Sequence, residues 1–234
     1  MNSVLRKEIR NYFFTPIGYI FLTIFIVISA FFFFSSVIIQ NTSNISNLFQ
    51  SIFMIILLLT PILTMRLFSE EYKSNTDQLL FSSPTTLFSI VLGKYFSALL
   101  MYLITISITL IYIFVVSLFA SVTISLIIGC MLGIILLGAS LISIGLFISS
   151  ITKSQVIAAF SSFGVFLLFI YINTLSNYMP FDWLKTILNN LSMIERYNNL
   201  VLGILNISDL LYFLSIIVVF LFLTMRVLEK KRWS

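Results

Sequence analysis

The sequence predicts an all-α integral membrane protein with six transmembrane helices. Residues 11–65 and 95–152 contain no Asp, Glu, Lys or Arg. Each stretch is long enough to cross a bilayer, turn and return, because a spanning helix needs about 20 apolar residues and a charge at mid-membrane costs several kcal/mol. The composition agrees: 60% of the 234 residues are hydrophobic and 9% charged, with 25 Phe and a mean hydropathy of +1.13, values that describe a chain whose solvent is lipid. The spans are expected at residues 17–39, 48–65, 95–120, 124–149, 155–172 and 210–227, within a single membrane domain over residues 1–234.

The elements follow in order. Residues 3–14 read as an amphipathic interface helix, with Leu5, Ile9, Tyr12 and Phe13 on one face and Arg6, Lys7 and Arg10 opposite. Glu8 falls among those basic residues. Thr15 can cap the first span with Pro16 at its first position. That span is expected to stay, because its apolar run exceeds a leader's and no small-residue cleavage pattern follows.

Between spans two and three, residues 66–94 form the most polar part of the chain. Polar residues from Glu70 to Gln78 (Glu71, Tyr72, Lys73, Asn75, Thr76 and Asp77 among them) lead into Leu79, Leu80 and Phe81, and Ser83-Pro84 resembles a helix start. This pattern suits a short helix lying along the membrane surface; a solvated connector is the alternative.

Gly129 and Gly133 in span four make a GxxxG pair, and Gly138 and Gly145 recur a heptad apart. Span five opens with Ala158, Ala159, Ser161, Ser162 and Gly164. Small residues allow close backbone approach, so these faces are expected to pack on neighbouring helices of the same chain first and on another subunit second.

Residues 173–209 are too long for a turn and too polar to span. Trp183, Leu184, Ile187, Leu188, Leu191 and Ile194 form one apolar face, Asp182 can cap the helix, and residues 200–205 are apolar but too short to cross. Two short helices, one of them re-entrant, are expected at the outer mouth of the bundle, with an interfacial hairpin as the alternative.

The charges orient the chain. With both termini cytoplasmic, Arg6, Lys7, Arg10, Arg66, Lys73, Lys94, Lys153, Arg226, Lys230, Lys231 and Arg232 lie inside, and only Lys185 and Arg196 of the 13 basic residues lie outside. Basic residues placed this way are orientation signals, so the net charge of +5 does not point to nucleic acid. Lys94 and Arg226 sit where long side chains can snorkel to the inner interface.

Several chemistries are excluded. A chain with no His and one Cys has no intramolecular disulfide, zinc site or His-based triad. No ionisable group falls in mid-span, where an ion-driven carrier usually places one. Gly93-Lys94 is the only Gly-Lys pair and is followed by Tyr95, with Phe88 where a phosphate-binding loop needs glycine. No cofactor is expected in this chain; any ATP and Mg belong to a separate subunit, for which the polar inner loop is the natural docking surface.

The order of amphipathic N-terminal helix, six spans, Glu-rich loop after span two and re-entrant outer segment before span six resembles the ABC-2 type permeases of bacterial ATP-binding cassette exporters. The loop Glu70-Glu71-Tyr72-Lys73-Ser74-Asn75-Thr76-Asp77-Gln78-Leu79-Leu80, with Pro84 and Gly93-Lys94, is similar to that family's acidic pair, basic residue, Gly-Thr, acid, two leucines, Pro and later Lys. Asn75 stands where Gly is usual and Asp77 where Glu is usual. Lys7-Glu8-Ile9-Arg10 with residues 12–16, and the ending from Asp209 to Trp233, resemble the gliding-motility-type subgroup.

The resemblance implies an exporter subunit in the cell membrane that pairs with a second permease chain among membrane lipids and recruits ATP-binding cassette ATPase subunits. It implies that residues 70–81, with the N-terminal helix, sit in a cleft of the ATPase and push on spans two and three. Thr23, Ser29, Ser35, Thr60 and Thr64 offer uncharged hydroxyls to an amphipathic or lipid-like cargo or to hydrophobic peptides. The rival reading is an ATP-independent scaffold or lipid-binding protein. An intramembrane enzyme using Asp182, Glu195 and Asp209 is disfavoured, because capping and solvation account for those acids.

Overall fold

A computed structural model describes residues 2–39, 45–74, 76, 86–119, 123–176, 183 and 190–233. Among them there is helix and no strand. The helices are α1 (Asn2–Phe14), α2 (Pro16–Phe33, continued by a π-helical turn Phe34–Ile39), α3 (Ile45–Thr64), α4 (Ser69–Lys73), α5 (Leu87–Ile106), α6 (Thr109–Phe119), α7 (Ile124–Ile151), α8 (Gln155–Ser176), α9 (Met193–Val201) and α10 (Ile207–Trp233).

Six helical stretches are long and apolar enough to cross a membrane: Pro16–Val37, Ile45–Lys73, Leu87–Phe119, Ile124–Ile151, Gln155–Ile172 and Ile207–Arg232. The six expected spans are therefore present. The start that differs most is that of the third span, at Leu87 rather than Tyr95, where Thr86 caps the helix by accepting from the Ser89 N–H at 3.3 Å. A criterion that stops at the first charge ended this span at Lys94, whereas the fold carries Lys94 inside it.

The bundle is built around α7, which packs against α3, α5, α8, α9 and α10. In spans two and four 67% of the apolar window is buried, against 22% in spans one, five and six, so two helices form the centre and three the periphery. Glycines set the central distances. A Cβ on Gly138 would collide with the Tyr102 ring, whose hydroxyl donates to the Ile134 carbonyl at 2.6 Å, and one on Gly145 would collide with Thr64. Packing within one chain is thus the use of these glycines. Gly164, by contrast, faces open space.

At one end of the bundle lie α1, the turn after α3, α4, the start of α5, the end of α7 and the end of α10. This is the charged end; α9 sits at the far end. Span three is interrupted by a turn at Ser107 and Ile108.

Candidate functional site

The charged end is assembled from segments distant in sequence. Tyr12 sits on the buried side of α1 and donates to the Leu63 carbonyl at 3.0 Å. Burial, with Glu8 adding to it, raises the Tyr12 phenol above its ordinary value, so it remains a neutral donor. Gly93 lets α5 approach α1, since a Cβ there would lie 3.0 Å from Val4 Cγ1. Arg6, Lys7 and Arg10 are exposed, as the amphipathic pattern predicts.

Lys94 is 1% exposed and does not snorkel. Its ammonium donates to Glu8 Oε1 at 2.9 Å and to the Leu67 carbonyl, and lies 3.0 Å from Glu71 Oε1 and 5.0 Å from the Phe68 ring centre. A buried ammonium is tolerable only when the lost hydration is replaced in this way. One side chain therefore ties α1, α4 and α5 together. Glu8 is 8% exposed, buried with its partner rather than standing on the solvated face.

Around this centre lies a second, more open pair. Arg66 makes two hydrogen bonds to Glu70, at 2.7 and 2.9 Å, and a third to Thr15 Oγ1 at 2.9 Å. The Thr15 hydroxyl donates to the Asn11 carbonyl and makes no cap bond to α2, so the expected capping is replaced by a link to Arg66. Lys7 approaches Glu71 at 3.7 Å. Between α1 and α4 is an open polar cavity of about 170 Å³, lined in part by Lys7, Glu8, Asn11, Glu70, Ser74 and Thr76.

Of the loop residues singled out in the sequence, Glu70, Glu71, Tyr72 and Lys73 belong to α4 and Thr76 follows it. Asn75, Asp77, Gln78, Leu79, Leu80 and Phe81 lie outside the described residues. The turn after α3 is also held by α7: Ser149 Oγ accepts from the Phe68 and Ser69 N–H groups at 3.0 and 3.2 Å and donates to the Met65 carbonyl. Neither Glu8 nor Ser149 stood out as a partner of the loop, because each is distant in sequence. Arg226 remains exposed and pairs with Glu229 at 2.9 Å.

At the far end, Trp183 and Leu191 are exposed, while Leu184, Ile187, Leu188 and Asp182 lie outside the described residues. The short helix that is described, α9, wedges between spans. Its Tyr197 hydroxyl donates to the Phe49 carbonyl at 2.8 Å, and the Val201 carbonyl accepts from Ser46 at 3.0 Å. A Cβ on Gly129 would strike the Leu200 carbonyl oxygen, whereas one on Gly133 would lie 3.2 Å from Leu200 Cβ. The GxxxG pair thus receives α9, not another span. Gly203, at φ +81°, turns the chain from α9 toward α10 where a side chain would be strained.

Asp209 is 3% exposed, accepting from Arg196 at 2.9 Å and from Asn199 at 3.2 Å, so it is a buried tie rather than a solvated cap. Arg196 also lies 4.5 Å from the Tyr212 ring centre. Asp209→Asn should cost about 2 kcal/mol, the scale of a charged hydrogen bond. Thermal melting is the measurement, and the Arg196→Asp, Asp209→Arg exchange should recover part of the loss.

The proposed cargo hydroxyls are placed otherwise than expected. Ser29 is paired with Tyr112 at 3.0 Å, and Thr60 and Thr64 donate back into α3. Ser35 bonds the Phe32 carbonyl and Thr23 is exposed. None of the five lines the apolar groove of about 260 Å³ between α3 and α8, formed by Leu58, Pro61, Ile62, Ala159, Phe160 and Phe163.

Comparison with curated proteins finds no match. Residues 4–233 match the family described as ABC-2 family transporter protein. With the match running from α1 through α10, the chain belongs to the ABC-2 transporter family of membrane proteins.

Proposed function

We propose that this chain is the permease subunit of an ATP-binding cassette exporter in a bacterial cell membrane, with the charged end cytoplasmic. It works with a second permease chain and is driven by a separate ATPase subunit, which holds the ATP and Mg. The observation that carries this reading is the Lys94 tie. A buried cation that joins α1, α4 and α5 makes a stiff block from three segments, and a stiff block is what an external motor needs in order to move spans. Arg6, Lys7, Arg10 and Lys73 are exposed around it, and Glu70 is half-exposed, giving a charged surface for the motor to grip.

We read the two ends of the chain as those of the gliding-motility-type subgroup, a grouping by sequence that names no cargo. The groove between α3 and α8 is apolar and suits the hydrophobic side of an amphipathic cargo.

Because Glu71 is held by Lys94, its reversal would disturb the fold as well as docking. Glu70 is likewise held by Arg66, so Lys73→Glu is the cleaner test. It should leave melting within a degree or so of wild type, as surface changes usually do, yet lower capture of the ATPase and its permease-dependent turnover. Normal capture and turnover in this variant would remove this surface from the docking site.

A further inference from the structure

Lys231, read from sequence as one of several orientation charges, occupies a particular place. It lies near the end of α10, and its ammonium donates to the Ser150 carbonyl at 2.7 Å and lies 3.7 Å from the centre of the Tyr72 ring. Ser150 is the residue before the end of α7, so its carbonyl is among the last four that have no partner within the helix. A cation there answers both the missing donor and the negative end of the helix dipole. Tyr72 belongs to α4 and is 7% exposed. A single cation thus touches the ends of spans four and six and the helix that follows span two.

An orientation charge needs only to reach water near the interface. Arg226 does that, at 64% side-chain exposure. Lys231 instead lies across two other helices. Ser149, the neighbour of Ser150, holds the turn that leads into α4 through two backbone N–H groups. The α4 segment is therefore fastened to the end of span four twice, once by Ser149 directly and once through Lys231 and the sixth span. The family resemblance implies a push on spans two and three; this fastening gives the push another route.

We infer that Lys231 is a positioning residue of the coupling step: it makes α4 move together with the paired fourth and sixth spans. The inference rests on the reading that α4 receives the ATPase. An aromatic face and a helix-end carbonyl are both satisfied by any long cation that can lie flat on a ring and donate, so arginine should substitute, whereas an apolar chain of similar length should not.

The test uses the full chain reconstituted with its ATPase subunit in lipid nanodiscs. Lys231→Met, which keeps the length and removes the charge, should lower permease-dependent ATP turnover about fivefold, within the range of single-residue coupling effects. Capture of the ATPase should stay at the wild-type value, while melting falls by only a few degrees, the scale of one lost helix-end bond. Lys231→Arg should keep turnover at the wild-type level. Wild-type turnover in Lys231→Met overturns the inference, as does a loss that vanishes when turnover is divided by the folded fraction, which would make Lys231 structural only. If the wild-type chain captures no ATPase, the exporter reading itself falls and takes this one with it. If Lys73→Glu impairs capture while Lys231→Met behaves as wild type, only the role of Lys231 is lost.

Discussion

Lys94→Ala is expected to destabilise the protein by about 3–5 kcal/mol, the cost of removing one partner from a buried ion cluster. The substitution leaves the Glu8 and Glu71 carboxylates facing each other in the space that the ammonium filled. It also frees the Leu67 carbonyl, which that ammonium bonds. The loss has a characteristic rescue. Replacing all three charged residues together, as Lys94→Met, Glu8→Gln and Glu71→Gln, removes the repulsion and should regain much of the stability, since neutral side chains of similar size often match a buried ion pair. Thermal melting of the three proteins (wild type, Lys94→Ala and the triple variant) in one lipid mixture decides it. Equal melting of Lys94→Ala and wild type would mean that the cluster is not a structural tie, and a triple variant as poor as Lys94→Ala would mean that its charges are not what matters.

Gly129→Ala should be among the most damaging single methyls in the bundle, at about 3 kcal/mol, near the upper end of the cost of overpacking. What the new Cβ meets is the Leu200 carbonyl oxygen, part of the α9 backbone, and backbone cannot rotate aside as a side chain can. The adjacent test is Gly133→Ala. There the nearest atom is Leu200 Cβ at 3.2 Å, and a shift of a few tenths of an ångström accommodates the methyl. The two substitutions are chemically identical and one turn apart, so the difference in their melting temperatures isolates the seat of α9. Equal effects would show that α9 does not rest on Gly129. Protease accessibility around Gly203 gives an independent reading, because α9 and the turn after it should loosen in the first variant and not in the second.

Much of the architecture was legible because membranes impose a simple rule. The charge-free stretches at residues 11–65 and 95–152 hold two of the spans whole and most of two others, and the amphipathic pattern of residues 3–14 matches α1. The same rule failed at Lys94. Counting a charge as a boundary assumes that it must reach water, and nothing local shows that Glu8, far along the chain, arrives to replace the water. Asp209 was misjudged for the same reason: its partner Arg196 lies on α9 and reaches it only once the chain has turned at Gly203. Gly129 and Gly133 announced close packing, but a pair of glycines carries no label for what it receives. Ser29, Thr60 and Thr64 looked available to a cargo because a hydroxyl in an apolar span lacks an obvious partner. In the fold, helix carbonyls supply partners for the two threonines, and Tyr112 joins a helix carbonyl in serving Ser29.

The sparse burial of spans one, five and six has a consequence for assembly. Hydrocarbon tails solvate that surface about as well as another protein would, so covering it against a second chain expels no water and gains nothing from dehydration. Pairing must then draw on shape fit and on crowding within the sheet of lipid. The relevant concentration is chains per lipid molecule, and swelling a proteoliposome with added phospholipid should drive the population toward single chains with no change in the aqueous phase.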